Sequence, residues 1–186
     1  MTIKKIIAHD KYNPHNYQND IALLQLDEPL ELRPSVRTVC LPKKEEKDLA
    51  ISNQHGTATG WGATRALKLG EKSKKGDLSK VLKYASFKIQ SEQLCRKNAR
   101  FNATVMFCAG DGQGESDTCH GDSGGAFVRE AERGQDKRYV WVAVGLVSWG
   151  DGCAQKDQYG YYTRVYPFID WIEKKIKKNS AKDDKE

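Results

Sequence analysis

Apolar and polar positions along the chain mark out a set of short extended segments and one amphipathic helix. Asn19-Asp-Ile-Ala-Leu-Leu-Gln-Leu26 begins with an acid and runs into an apolar, strand-like stretch. Val81 to Ile89 alternates loosely and predicts a strand. Ala126-Phe-Val128 and Tyr139 to Trp149 are rich in β-forming residues, with a polar, hairpin-like excursion from Arg129 to Arg138 between them. Ser91 to Lys97 reads as a short helix capped by the Ser91 hydroxyl. From Phe168 to Lys178 the period changes: Ile169, Ile172 and Ile176 fall at helical spacing and predict one buried face. Lysines in the final turns of that helix suit its dipole. Pro14 and the Asn-rich residues after it mark a loop, and Lys43 to Asp48 a charged surface loop. Arg65 to Lys80, rich in Lys and Gly and without periodicity, predicts a mobile loop. Residues 179–186 predict a frayed polar tail, and no internal repeat is present.

Candidate chemistry concentrates in Asp117-Thr-Cys-His-Gly-Asp-Ser-Gly-Gly125. A serine hydroxyl is a poor nucleophile unless a base takes its proton and donors stabilise the oxyanion it creates. Glycines on both sides of Ser123 let the backbone turn sharply, so that the N–H groups of Gly121 and Ser123 can point at one spot as an oxyanion hole. Taken alone, Gly-Asp-Ser-Gly-Gly also reads as a polar turn, since Gly, Asp and Ser are common turn formers.

The neighbours of this loop change that balance. Downstream stand Gly145-Leu-Val-Ser-Trp-Gly150, Cys153 and Tyr159-Gly-Tyr-Tyr-Thr-Arg-Val165. With Asn19 to Leu26, Val39-Cys-Leu-Pro42 and Thr57-Ala-Thr-Gly-Trp-Gly62, these motifs resemble the chymotrypsin/trypsin family of serine proteases from about Ile6 to Ile176. The resemblance implies an all-β fold of two antiparallel barrels, the first incomplete here, with a C-terminal α-helix. Residues 1–178 would form the partial protease domain: 1–42 the end of the first barrel and the crossing, 43–165 the second barrel, 166–178 the helix. It also implies roles. Ser123 is the nucleophile, Gly121 an oxyanion donor and Asp20 the acid that orients a catalytic histidine. Asp122 pairs with the amino terminus created by activation cleavage. Asp117 forms the base of a specificity pocket walled by Ser148, Trp149, Gly150 and Gly160. A buried carboxylate at the bottom of a narrow slot favours a long cationic side chain, hence cleavage after Arg or Lys. The polar insert and Tyr-Gly-Tyr-Tyr-Thr-Arg-Val, followed by Ile-Asp-Trp-Ile, look most like the complement initiating proteases, those of the first complement component and the mannose-binding-lectin-associated serine proteases.

Composition adds limits. At 186 residues and 38% hydrophobic, the chain supports one sizeable core. A net charge of +6 raises the question of an anionic partner. The lysines, however, gather between Arg65 and Lys83 and from Lys174 onward with acids among them, which a solvated surface explains equally well; nucleic acid is not an expected partner. No apolar run is long enough to span a membrane. Five cysteines fit an oxidising compartment, and by the resemblance Cys95 pairs with Cys108 and Cys119 with Cys153. Cys40 is left over; in many relatives a cysteine in this setting ties the catalytic domain to the upstream chain. Asn102-Ala-Thr104 is an N-glycosylation sequon. The resemblance implies a secreted enzyme, although Met1 to Ile7 has no signal-peptide architecture. It further implies protein substrates with Arg or Lys at the cleavage site, serpin-type inhibitors as partners, and neither cofactor nor metal.

The match breaks at the base. The family's histidine precedes the aspartate by several dozen residues in an Ala-Ala-His-Cys-like setting, and none of His9, His15, His55 and His120 has it. The expectation is the C-terminal three-quarters of a protease domain, inactive as an isolated polypeptide. A noncatalytic homologue that binds or scaffolds is the alternative.

Overall fold

A computed structural model describes residues 1–183 of the chain. Its main body is an antiparallel sheet of six strands: β3 (His55–Gly60), β4 (Lys83–Lys88), β5 (Met106–Ala109), β6 (Ala126–Arg133), β7 (Arg138–Trp149) and β8 (Gly160–Arg164). Their order is β4-β3-β6-β7-β8-β5. Gln90 N donates to Cys108 O and Gly110 N to Lys88 O, so the two edges of the sheet meet and the sheet curls on itself. Such closure leaves few unpaired ladder groups for another chain to pair with.

The curl is filled from alternating positions. Along β4, Phe87 is buried while Tyr84, Ser86 and Lys88 face outward, the period of two that a half-buried strand requires. Phe107 stacks on Tyr162 at 5.2 Å, and Phe127 meets Tyr162 edge-on at 4.9 Å. Val142, Val144 and Ile89 close the space around these rings. Burying one such side chain is worth roughly 1.5–3 kcal/mol relative to leaving it exposed.

Strands β1 (Ile3–Ala8) and β2 (Ala22–Leu26) form a separate two-stranded antiparallel sheet, with Ile7 opposite Leu23 and Ala8 opposite Ala22. The helix α2 (Ile169–Asp183) joins it to the main sheet. Ile169, Ile172 and Phe168 pack with Ile21, Val165, Leu23 and Leu146, so one helix face touches both sheets. The short helix α1 (Glu92–Cys95) is capped by the Ser91 hydroxyl, which accepts from Leu94 N. Among the described residues no helix is long and apolar enough to cross a membrane.

Three local expectations need correction. The helix does not stop at Lys178 but continues to Asp183; Asn179 holds it, donating to Lys175 O and accepting from Lys5 Nζ. Residues 184–186 of the expected tail lie outside the described residues. The polar stretch after Val128 is strand rather than excursion: β6 runs to Arg133 and pairs with β7 from Arg129–Val142 to Arg133–Arg138, leaving only residues 134–137 to turn. Its arginines point sideways to protein partners, Arg133 to Glu46 and Arg129 to His55 O and Gln54. The stretch from Arg65 to Lys80 is tied down. Leu67 is fully buried and exchanges two backbone hydrogen bonds with Cys153, and Arg65 pairs with Glu71 and Asp77.

Candidate active site

The loop from Asp117 to Gly125 connects β5 to β6 and is fixed at both ends. Gly124 N donates to Val147 O, and Val147 N to Gly125 O, which hold its second half against β7. Its first half is held by the Cys119–Cys153 disulfide. Within the loop Asp122 N and Gly125 N are occupied by Cys119 O and Asp122 O, whereas among the described residues Gly121 N and Ser123 N have no acceptor. Gly121 has φ of +101°, a conformation glycine adopts without the Cβ penalty. Two free N–H donors beside an exposed serine hydroxyl are the components an oxyanion hole needs.

Ser123 lines a cavity of about 280 Å³ together with Asp117, Ser148, Trp149, Gly150 and Gly160. The structure therefore gathers the sequence-predicted slot residues around one space. Asp117 Oδ2 accepts from Ala154 N at 3.0 Å; Asp117 Oδ1 is buried without a hydrogen-bond partner. Burial pushes the Asp117 carboxyl up to about 6, against the hydrogen bonds from Ala154 and Thr118. Gly160 keeps the base of the slot open, since a Cβ there would stand 3.0 Å from Asp117 Oδ1 and 3.2 Å from the Tyr162 hydroxyl. Tyr162 links the slot to the core: its ring is fully buried and its hydroxyl shares a 3.0 Å hydrogen bond with Thr118 Oγ1.

Asp20 reaches this region through Ser148, whose hydroxyl donates to Asp20 Oδ2 at 2.6 Å. Thr163 Oγ1 donates to Asp20 O and fixes the backbone beneath it. Among the described residues no hydrogen bond joins a histidine to Asp20 or Ser123. His9 packs on Phe168 and Trp171, with ring centroids at 5.2 and 4.9 Å, and burial lowers its pKa. His15 and His55 are exposed on the surface. His120 lines the cavity, and its Nδ1 accepts from Ser73 N at 3.3 Å.

Behind the loop, Asp122 is gripped by backbone donors. Gly62 N donates to its Oδ1 at 2.7 Å and Cys119 N to its Oδ2 at 3.0 Å. The approach depends on Gly62, where a Cβ would fall 2.2 Å from Asp122 Oδ2. The carboxylate also lines a second cavity, of about 350 Å³, with Gly60, Gly62, Ala63 and Asp117. The two cavities share Asp117, Thr118, Cys119 and Cys153 in their walls.

This arrangement of loop, slot and supporting acid accords with a match to the trypsin family over residues 1–172. The chain belongs to the trypsin family. By family the trypsin domain is of the serine-peptidase, hydrolase type. Its mostly β architecture, with a curled six-stranded sheet, a second sheet and a C-terminal helix, agrees with that membership.

Reading the trypsin domain's sequence missed three residues that shape the site. Ala154 N supplies a hydrogen bond to Asp117, a backbone role with no side-chain signal, and Thr118 links Tyr162 to the slot through its Oγ1. Tyr17 lines the outer cavity and stacks on Trp149 at 5.6 Å. Its place three residues before Asp20, in an Asn-rich loop, was the available clue. The other disulfide, Cys95–Cys108, ties α1 to β5. Cys40 is half-buried and in no disulfide among the described residues; its backbone bridges to β7 through Trp141 O and Ala143 N. Asn102 is partly exposed and accepts from Thr104 N just before β5. Among the described residues no cluster of His, Cys, Asp and Glu is arranged to hold a metal.

Proposed function

We propose that this domain belongs to a serine endopeptidase that cleaves after Arg or Lys through an acyl-enzyme on Ser123. The observation that carries the specificity is Asp117 Oδ1, a buried carboxylate oxygen with no partner at the base of a narrow cavity. A bound guanidinium or ammonium would supply the missing donors, and a neutral side chain would leave the charge unpaired. Ser123 attacks the scissile carbonyl while a histidine base oriented by Asp20, to be supplied by the complete domain, takes its proton and returns it to the amine that leaves as the C–N bond breaks; the N–H groups of Gly121 and Ser123 receive the oxyanion. The grip of Gly62 and Cys119 on Asp122 supports a role for that acid in holding the oxyanion loop, with a new amino terminus as its ionic partner. A secreted cascade protease of complement type, linked by Cys40 to further chain and glycosylated at Asn102, is the setting we favour.

A second reading concerns this chain by itself. With the Asp20 carboxylate held by Ser148 and, among the described residues, no histidine hydrogen-bonded to Ser123, the 186-residue chain binds cations in the slot without turnover. Isothermal titration with benzamidine, a chromogenic Arg-peptide assay and labelling by a fluorophosphonate separate these claims. We expect amidine binding that Asp117→Ala abolishes, and no peptide turnover. Folded protein that ignores benzamidine would refute the Arg/Lys slot. Turnover that Ser123→Ala removes would refute the claim that the isolated chain lacks a base.

A further inference from the structure

A third cavity, of about 490 Å³, shares no lining residue with the slot. Its size is that of a small-ligand site. Pro42, Leu49, Ile51, Val144 and Pro167 give it apolar walls, and among the described residues Arg164 of β8 is the one cation that lines it. Arg164 is fixed before any ligand arrives. Its Nε donates to Met106 O at 2.8 Å and to Ala103 O at 3.1 Å, and its Nη1 donates to Ala50 O. The Phe107 ring lies against the guanidinium, with its centroid 5.6 Å from Cζ. Among the described residues Nη2 makes no hydrogen bond, and it stays accessible.

All the partners of Arg164 are carbonyls, so its charge is not matched by a carboxylate. The two acids that line the cavity are committed elsewhere, Glu46 to Arg133 and Glu92 to Arg96. Burial lowers the guanidinium from its ordinary value, and the attraction of Glu92 offsets this only in part. A part-buried cation without a counter-charge, held in one orientation beside apolar walls, is an arrangement that a carboxylate completes at little ordering cost.

We propose that this cavity binds a compact apolar monocarboxylate, its carboxylate on Nη2 of Arg164 and its apolar body against Leu49, Ile51 and Val144. A single negative charge is the limit. Glu46 and Glu92 keep their own charges in the walls, so phosphate, sulfate or a polyanion would meet repulsion from both. The site uses none of Ser123, Asp117 and Asp20, so the proposal stands whether or not the chain is a peptidase.

The test is calorimetric titration of the full 186-residue chain at neutral pH with 2-naphthoate, beside 2-naphthamide, which has the same rings and no charge. We expect one naphthoate per chain, bound at least about tenfold more tightly than the amide and unchanged within about twofold when benzamidine saturates the slot. Ile51 is 45% exposed, so both Ile51→Glu and Ile51→Gln should fold, as circular dichroism and an unfolding midpoint would show. The Glu variant should bind naphthoate at least about tenfold more weakly, and the Gln variant within about threefold of the wild type. Arg164→Gln should lose binding; because it also removes the contacts to Ala50, Ala103 and Met106, the Ile51 pair decides the matter if it unfolds. No naphthoate binding by the wild type, equal affinity for the amide, or equal losses in the two Ile51 variants would overturn the proposal. So would displacement of naphthoate by inorganic phosphate, or tighter binding of an acetylated peptide ending in a free Leu.

Discussion

Replacing Asp117 with Asn tests the chemistry of the slot through stability, without substrate. The Asp117 carboxyl titrates at about 6 in the fold, raised by burial from an ordinary value near 3.8. A raised folded value means that the protonated form favours folding. That contribution is complete below about pH 4 and is lost as pH rises through about 6. About two pH units at 1.36 kcal/mol each give a loss of about 3 kcal/mol between pH 4 and 7. Asn has nearly the same shape, can accept from Ala154 N, and carries no charge to bury. The Asn variant should therefore gain about 3 kcal/mol on the wild type over that interval, seen in urea unfolding at pH 4, 5, 6, 7 and 8. A cation in the slot should act in the opposite sense. Benzamidine affinity of the wild type should fall about tenfold per pH unit below about 6, and the Asn variant should bind weakly at every pH. A stability difference that stays flat from pH 4 to 8 would refute the claim that Asp117 is buried unpaired. Flat amidine affinity over the same range would refute its role as the cation's partner.

Other perturbations have equally specific outcomes. Gly160→Ala places a Cβ 3.0 Å from Asp117 Oδ1, and should weaken benzamidine binding at least tenfold while shifting the unfolding midpoint little, as titration calorimetry and thermal melts would show. Gly62→Ala forces its Cβ into the Asp122 carboxylate at 2.2 Å; the expected loss is about 1–3 kcal/mol in urea unfolding, with amidine binding reduced as the loop shifts. Removing the Cys119–Cys153 bridge, which spans 34 positions, should cost about 4 kcal/mol, and removing Cys95–Cys108, which spans 13, about 3 kcal/mol, by double Cys→Ser variants in chemical unfolding. Ser148→Ala deletes the 2.6 Å donor to Asp20, and should cost about 1–3 kcal/mol because a carboxylate oxygen loses its partner, measured by the same method.

The candidate site residues could be located in the sequence because they are scarce residue types in a fixed order. Ser123 between glycines, Asp117 six residues earlier, and Ser-Trp-Gly150 beyond can be located in one dimension, and the structure gathers them around one cavity. Strand existence was legible for a similar reason, since Phe87 and its outward-facing neighbours obey a period of two. What escaped the sequence depends on partners far away in it. Leu67 lies in the stretch from Arg65 to Lys80 that shows no periodicity, yet it is buried and pairs with Cys153. Arg129 and Arg133 looked like surface charge, but their long side chains reach the 43–55 region and let a polar segment run as strand. The extra turn of α2 rests on Lys5, from the other end of the chain. Geometry at Asp122 was invisible too, because Gly60 and Gly62 look like any turn glycines until a carboxylate is seen against them.

The strand order has a consequence in time. Thr57 in β3 takes Val128 in β6 as its neighbour, about 70 residues further on. Until that distant strand has joined, β3 has only β4 to pair with, and a lone hairpin is marginal in water. The loop holding Asp117, Asp122 and Ser123 lies between β5 and β6, and its grip on Gly62 just after β3 exists only once this long-range pairing is made. Folding of this chain should consequently be slow, with the slot among the last parts to acquire its shape. A ribosome-bound chain halted before β6 would display Gly60 and Gly62 before the Asp122 carboxylate is fixed against them.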